Sequence, residues 1–315
     1  MSYNKFFTFA FYNLDNLFDV FDDPDTLDDD FTPEGKRKWT YKRYKRKLAK
    51  ITRIISELGK DVAHEPPLLV GLAELENEEV VKDLVMSPAL KDYHYGYAHY
   101  DSPDERGVDV ALLYRKSHFE LIDSRPHTVY IFDENGHRDY TRDILCVRGK
   151  IFGEPWVIIV NHWPSRRHGT GETEHKRLKA AEVVKDVLNE IREKNPGIRI
   201  CIMGDFNDEP GDESIRYLVD DRLYNPMQGL KAKGLGTTNH KDKWYMFDQI
   251  ILSKNTLDGA SGKCEFKYVD IFRTEENSIW KGKKKNQPFR TYYGKKYTGG
   301  QSDHFPVVAY FEKKS

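Results

Sequence analysis

Short apolar runs that end in a polar residue recur along this chain. Phe6–Tyr12 ends at Asn13, Leu68–Ala73 at Glu74, Trp156–Val160 at Asn161-His162, and Ile198–Met203 at Gly204-Asp205-Phe206-Asn207. Nearer the C-terminus the order reverses: Phe247-Asp248 precedes Gln249–Leu252, and Ser302-Asp303-His304 precedes Phe305–Phe311. Runs this short, rich in β-branched and aromatic side chains, predict strands, and Asp109–Arg115 and Ile144–Phe152 add two more. Tyr44, Leu48, Ile51, Ile55 and Leu58 instead recur at spacings of four, three, four and three, one stripe of a helix that Gly59 ends. Arg46, Lys50 and Arg53 fall largely on its other face. A second helix is predicted over 174–194, with Leu178, Ala181, Val184, Leu188 and Ile191 as its apolar stripe, Arg177 as a surface charge and Asn195-Pro196-Gly197 as its stop. Strand, helix, strand order predicts an α/β protein with helix-covered sheets. Without repeat or linker, residues 1–315 read as a single domain.

Strand ends are where such a scaffold exposes Asp, Asn and His on rigid supports, the arrangement that metal-assisted hydrolysis needs. Glu74 closes a run that should be buried, which favours a metal ligand over a surface acid. Asp205 and Asn207 are two apart, so an extended backbone projects both to one side. One reading is a carboxylate that orients or deprotonates a water, with an amide that fixes it or binds a phosphate oxygen. The competing reading is a plain turn in which Gly204 supplies the unusual backbone angle.

Composition narrows the classes. Net charge is −1, so no global field attracts polyanions. Charge is nevertheless segregated, with an acidic stretch from Asp15 to Glu34 followed by a basic one from Lys36 to Lys50, read as a solvated loop and a helix face. Cys146, Cys201 and Cys264 are odd in number and widely spaced, which argues against a disulfide framework or zinc ribbon. No run approaches the ~18 apolar residues of a membrane span. The N-terminus lacks a leader pattern, so a cytoplasmic location is expected, or a secreted one if a leader has been removed. The stretch from Asn255 to Gly300 interleaves basic and aromatic residues around Trp280 and Arg290, as a nucleic-acid-binding rim would.

Six segments carry a resemblance: Phe11–Asp19, Gly71–Asn77, Arg106–Arg115, Asn161–Arg166, Gly204–Asn207 and Ser302–His304. In order and local sequence they resemble the endonuclease/exonuclease/phosphatase superfamily, the deoxyribonuclease I-like metal-dependent phosphodiesterases and phosphomonoesterases. The resemblance implies a four-layer sandwich, two mixed β-sheets packed face to face with helices outside. It implies Mg²⁺ or Mn²⁺ at Glu74, with Asn13 and Asp303 at matching metal-site positions. His304 then contacts the phosphate and pairs with Asp248, and His162 matches the second histidine of the deoxyribonuclease, phosphatase and sphingomyelinase branches. Asp109 is a candidate partner for His162. Arg166, Arg167 and Arg106 are candidate phosphate binders, with Trp280 and Arg290 further out.

The expected function is therefore divalent-metal-dependent hydrolysis of a phosphodiester, with nucleic acid as leading substrate. A phosphoinositide, sphingomyelin-like lipid or small phosphate ester is the alternative. A catalytically dead binding module is the third class, disfavoured because a binder gains nothing from a full acid/base set. The protein is expected to be a monomer.

Overall fold

The computed structural model describes residues 5–166, 169, 171–259 and 263–314. Two six-stranded mixed sheets are formed from twelve strands. In chain order these are β1 (Lys5–Leu17), β2 (Leu69–Leu75), β3 (Tyr95–His99), β4 (Asp109–Arg115), β5 (Phe119–His127), β6 (Ile144–Ile151), β7 (Glu154–His162), β8 (Arg199–Asp205), β9 (Leu223–Tyr224), β10 (Asp248–Ser253), β11 (Cys264–Ile271) and β12 (Val307–Lys313). The first sheet runs β11-β12-β1-β2-β4-β3, and the second runs β9-β10-β8-β7-β6-β5. Parallel pairing occurs at β1/β2 and β7/β8. Parallel neighbours need a crossover connection. The crossovers are α1 (Tyr41–Glu57) between β1 and β2, and α2 (Glu174–Lys194) between β7 and β8.

Side-chain alternation divides the apolar residues among three layers. Phe7, Phe9 and Phe11 of β1 face Trp156, Ile158 and Val160 of β7 and Met203 of β8 between the sheets. Ala10 and Tyr12 face outward onto Leu48, Ile51 and Ile55 of α1. On the opposite side Ile200 and Ile202 of β8 pack on Ala181, Val184 and Leu188 of α2. The four-layer sandwich follows from this sorting. All three cysteines are buried and unpaired, Cys264 included although its sequence neighbours are Lys263 and Glu265.

The predicted 174–194 helix has the expected bounds, but its buried face is rotated. Ala180 and Arg177 lie inside, whereas Leu178 is only half-buried. Arg177 is therefore not a surface charge: it is 0% exposed, and its Nε lies 2.7 Å from Asp208 Oδ1. An ion pair allows that burial, and no apolar pattern in the sequence announces it. No helix among the described residues is long and apolar enough to cross a membrane.

Candidate active site

At one edge of the sandwich the second sheet presents its polar residues as a row. Asp205 is in register with His162 on β7 and with Asp248 on β10, so three strands place three functional residues side by side. Gly204 makes the row possible, since a Cβ there would lie 2.5 Å from the Asn161 carbonyl oxygen. The left-handed angle belongs to Asn207 (φ 50°) and not to Gly204. Asn207 turns the chain so that its N–H donates to Asp205 Oδ1 (2.9 Å) and its Nδ2 to the Trp163 carbonyl (3.0 Å). The carboxylate is held by the backbone N–H of Asn207, while its side-chain amide, which the spacing assigned to the carboxylate or to a phosphate oxygen, is engaged by Trp163.

The first sheet reaches the same place through irregular backbone. Between the pairs Asn13↔Ala73 and Leu17↔Leu75, β1 uses residues 14, 15 and 16 where β2 uses Glu74 alone. Asp15 (φ 51°), Asn16 (φ 60°) and Glu74 (φ 60°) all take left-handed angles. For L-residues each such angle costs on the order of 1 kcal/mol. The distortion is held by hydrogen bonds: Asn16 N–H donates to Glu74 Oε2 and Asp15 N–H to Asn13 Oδ1, each 2.9 Å long. Asn13 Nδ2 donates across the sheets to Asp205 Oδ2 (2.9 Å), so Asn13 joins the two halves of the site.

His304 precedes β12 and is anchored through its N–H to Ser302 Oγ (3.0 Å), which itself donates to the Asn13 carbonyl (2.6 Å). Its Nδ1 meets Asp248 Oδ2 at 2.7 Å, and its Nε2 lies 3.9 Å from both Asp205 and Asp303. Burial acts to lower the His304 pKa, but the charge and hydrogen bond of Asp248, with Asp205 and Asp303 beyond, hold it well above the usual imidazole value. His162 is the opposite case. Burial, then the positive charges of Arg142, Arg106 and His304, push it well below that value. Its Nε2 lies 3.6 Å from Glu74 Oε1 and 3.8 Å from Asp205 Oδ2. Asp205 is raised to about 7, by burial first and then by Asp248 and Glu74, against the opposing charge of His304.

The predicted partner of His162 is corrected: Asp109 accepts from His99 Nε2 (3.0 Å) and from Ser102. Among the described residues His162 Nδ1 has no hydrogen-bond partner. Arg166 is also corrected as a substrate binder, because its guanidinium is engaged by Asp208 and Asp212 and by the Asn207 carbonyl (2.5 Å). Arg167 lies outside the described residues. Arg106 does line the cleft, 4.0 Å from Glu74, and Arg290 lies 3.6 Å from Asp303. Trp280 is not brought to the site. It lines a separate groove with Arg273 and Ile279.

The cleft, about 330 Å³, has a wall the sequence reading did not assign: Asp139, Tyr140, Arg142, Thr173 and Lys176. Lys176 pairs with Asp139, and Arg142 with Asp104. Asp15, which the sequence placed only in an acidic stretch and a motif, also lines it. Its carboxyl is raised to about 7 by burial and by Asp303, with Glu74 adding to this and Lys47 opposing it.

Asp15, Glu74 and Asp303 all line the cleft, with Asp303 and Glu74 close enough for their charges to act on Asp15, and carboxylate oxygens suit a hard divalent cation. Glu74 Oε2 is hydrogen-bonded, whereas Oε1 faces the cleft with no hydrogen bond among the described residues. Ligand atoms lie within 4.8 Å of one another in His99, Asp101 and Asp109 and in Asp205, Asp248 and His304. In the latter group the His304–Asp248 hydrogen bond already occupies one atom of each.

A family-wide sequence profile described as the Endonuclease/Exonuclease/phosphatase family matches residues 8–313. No curated protein sequence shows a significant match. Among solved structures the chain is similar to a D. rerio TDP2 humanized by 14 mutations, at 15% identity and TM-score 0.62, covering 97% of this chain and 98% of that one. D. rerio TDP2 complexed with single-strand DNA product gives 15% identity and TM-score 0.58 over 97% and 98% of the chains. A mannosyl-6-phosphatase from Bacteroides thetaiotaomicron gives 18% identity and TM-score 0.58 over 97% and 99%. These likenesses at low identity speak to the fold, and the profile match to descent. The chain belongs to the endonuclease/exonuclease/phosphatase family and is a metal-dependent phosphoric ester hydrolase.

Proposed function

We propose that the protein uses Mg²⁺ or Mn²⁺, with Glu74 and Asp303 as ligands and Asn13 and Asp15 beside them, to hydrolyse a phosphate ester whose alcohol is compact and polar. When bound, the cation supplies charge neutralisation at the phosphate and a Lewis acid for the attacking water. The observation that carries the acid–base roles is the His304 Nδ1–Asp248 hydrogen bond (2.7 Å), which leaves Nε2 facing Asp205 at 3.9 Å. Asp248 favours the protonated imidazole, so that His304 offers Nε2–H to a phosphoryl oxygen. Asp205, held by Asn13 and Asn207, is then the group that accepts the water proton. His162, held neutral, completes the phosphate pocket from the other side.

The compact alcohol is favoured by the cleft wall. A volume of about 330 Å³ suits one sugar or nucleotide beyond the phosphate. The wall cations are already paired with acids, and the acidic stretch 19–30 adjoins it, with Leu27 N–H donating to the Glu105 carbonyl (2.8 Å). A long polyanion would meet repulsion there. A second reading, nucleic acid, is favoured by one observation: Arg290 lies 3.6 Å from Asp303, and both Arg290 and Lys284 lie over the Tyr293 ring. Several rings adjoining these in sequence are engaged internally, with Arg37 over Tyr292, Arg43 over Tyr297 and Lys50 over Phe289.

A substrate panel decides between them. Sugar phosphates, nucleotides, plasmid, single-stranded DNA, RNA, phosphoinositide and sphingomyelin would be incubated with Mg²⁺, Mn²⁺ or chelator. Metal-dependent turnover highest on a sugar phosphate or nucleotide supports the first reading, and highest turnover on a polymer replaces it with the second. Turnover that survives chelation overturns both.

A further inference from the structure

Lys47 is a buried cation that neither the apolar stripe of α1 nor any family motif quoted above singles out. It is 2% exposed on the inner face of α1, with its Nζ 5.9 Å from the ring centre of Trp39, itself fully buried. Its ammonium donates to the Asp15 carbonyl and to the Asn16 carbonyl (3.3 Å). These belong to the two consecutive left-handed residues of the β1 bulge. Neither carbonyl has a β-ladder partner there, because the pairing with β2 stops at Asn13 and resumes at Leu17. A buried lysine is expensive unless its donors are satisfied, and a distorted backbone persists only where its surroundings determine it. Each feature supplies what the other needs.

The bulge in turn aims the proposed metal donors. The Asn16 N–H fixes Glu74 Oε2, which leaves Oε1 toward the cleft, and the Asp15 N–H fixes Asn13 Oδ1. We infer that Lys47 is a positioning residue: it clamps the Asp15-Asn16 bulge so that Glu74 and Asn13 present their oxygens to the divalent cation. The inference rests on the metal reading above. It opposes a simpler role, in which the ammonium merely balances the charge of Asp15, Glu74 and Asp303. The two roles differ in sign. Removing a balancing cation leaves the carboxylates more attractive to a divalent ion, whereas removing a clamp disorders the ligands and weakens the ion's binding.

The test is direct Mn²⁺ binding by titration calorimetry on wild type, Lys47→Met and Lys47→Gln, with thermal melts of each. Lys47→Met keeps the length and apolar stem without donors, and should weaken Mn²⁺ binding about tenfold or more. Lys47→Gln keeps an amide N–H₂ and no charge, and should lose less. Unchanged or tighter binding in folded Lys47→Met overturns the clamp, and a lowered melting temperature with unchanged affinity assigns the residue a merely structural role. If Lys47→Met does not fold, weaker binding by Lys47→Gln supports the clamp and unchanged or tighter binding overturns it. A wild type that binds no Mn²⁺ overturns the metal reading itself, and the clamp with it.

Discussion

The two sheets deliver their functional residues differently. In the second sheet, His162, Asp205 and Asp248 stand in one register row at the ends of regular strands. In the first sheet, Asp15 and Glu74 emerge from a bulge with left-handed backbone, held by hydrogen bonds from Asn16 and Lys47. A regular row fixes the spacing between groups that pass protons to one another. A bulge frees peptide groups and turns side chains off the pleat, so several oxygens can converge on one point. The difference suggests a division of labour: acid–base and phosphate contacts from the row with His304, cation binding from the bulge.

The largest effect should come from the row. His304→Ala and Asp248→Asn should each lower kcat by about 10²–10⁴, and the double variant should lose little more than either alone because the pair acts as a unit. Steady-state kinetics showing additive losses would break the pairing. Next come the cleft-wall residues outside both sheets. Arg106→Met should raise KM for a sugar phosphate or nucleotide about tenfold, the scale of one charged hydrogen bond, with kcat nearly unchanged, since Arg106 lines the cleft with no ion pair closer than 3.7 Å among the described residues. Equal losses in kcat would place that wall in the chemistry instead.

Stability against pH separates the row's own residues. Asp205 has its folded pKa raised to about 7, above the ordinary ~3.9 of the unfolded chain. Its favourable contribution is therefore complete below the unfolded value and lost as pH rises through the folded one. Asp205→Asn should melt several degrees above the wild type at about pH 8 in chelator and level with it near pH 4. His162, depressed, works in the other direction, stabilising above ~6.5 and losing that contribution as pH falls. A melting difference between Asp205→Asn and wild type that does not grow with pH contradicts the burial account. The smallest effect is expected at the basic rim. Charge removal at Lys283, Lys284 and Lys285 should raise KM for a polymeric nucleic acid about two- to threefold and flatten its salt dependence. No change in turnover of a small chromogenic phosphodiester is expected, since Lys284 already lies 3.5 Å from the centre of the Tyr293 ring.

The same contrast explains what the chain disclosed before folding. The row was legible because a short apolar run closed by a polar residue marks the end of a buried strand, as at Met203-Gly204-Asp205. The sandwich itself needed the motif resemblance, since periodicity alone reaches only an α/β class. Lys47 and Arg177 were illegible because a buried charge breaks the apolar stripe that would reveal its face, and each is explained by a partner distant in sequence, Asp15 and Asp208. His99 took Asp109 from His162 because β3 pairs beside β4, an adjacency no local pattern encodes. The basic-aromatic stretch misled in part, since interleaving of that kind serves internal ring–cation packing as well as a nucleic-acid rim.

The division between the sheets is tested most directly by titrating activity with Mg²⁺ in wild type, Glu74→Gln and His304→Ala. Glu74→Gln should shift the half-saturating Mg²⁺ concentration upward by about tenfold or more, as expected for a lost carboxylate ligand, with part of the turnover recovered at high metal. His304→Ala should keep the wild-type half-saturation and lose turnover at every metal concentration. If Glu74→Gln leaves the half-saturation unchanged, or His304→Ala shifts it as far, cation binding and acid–base chemistry are not divided between the bulge and the row.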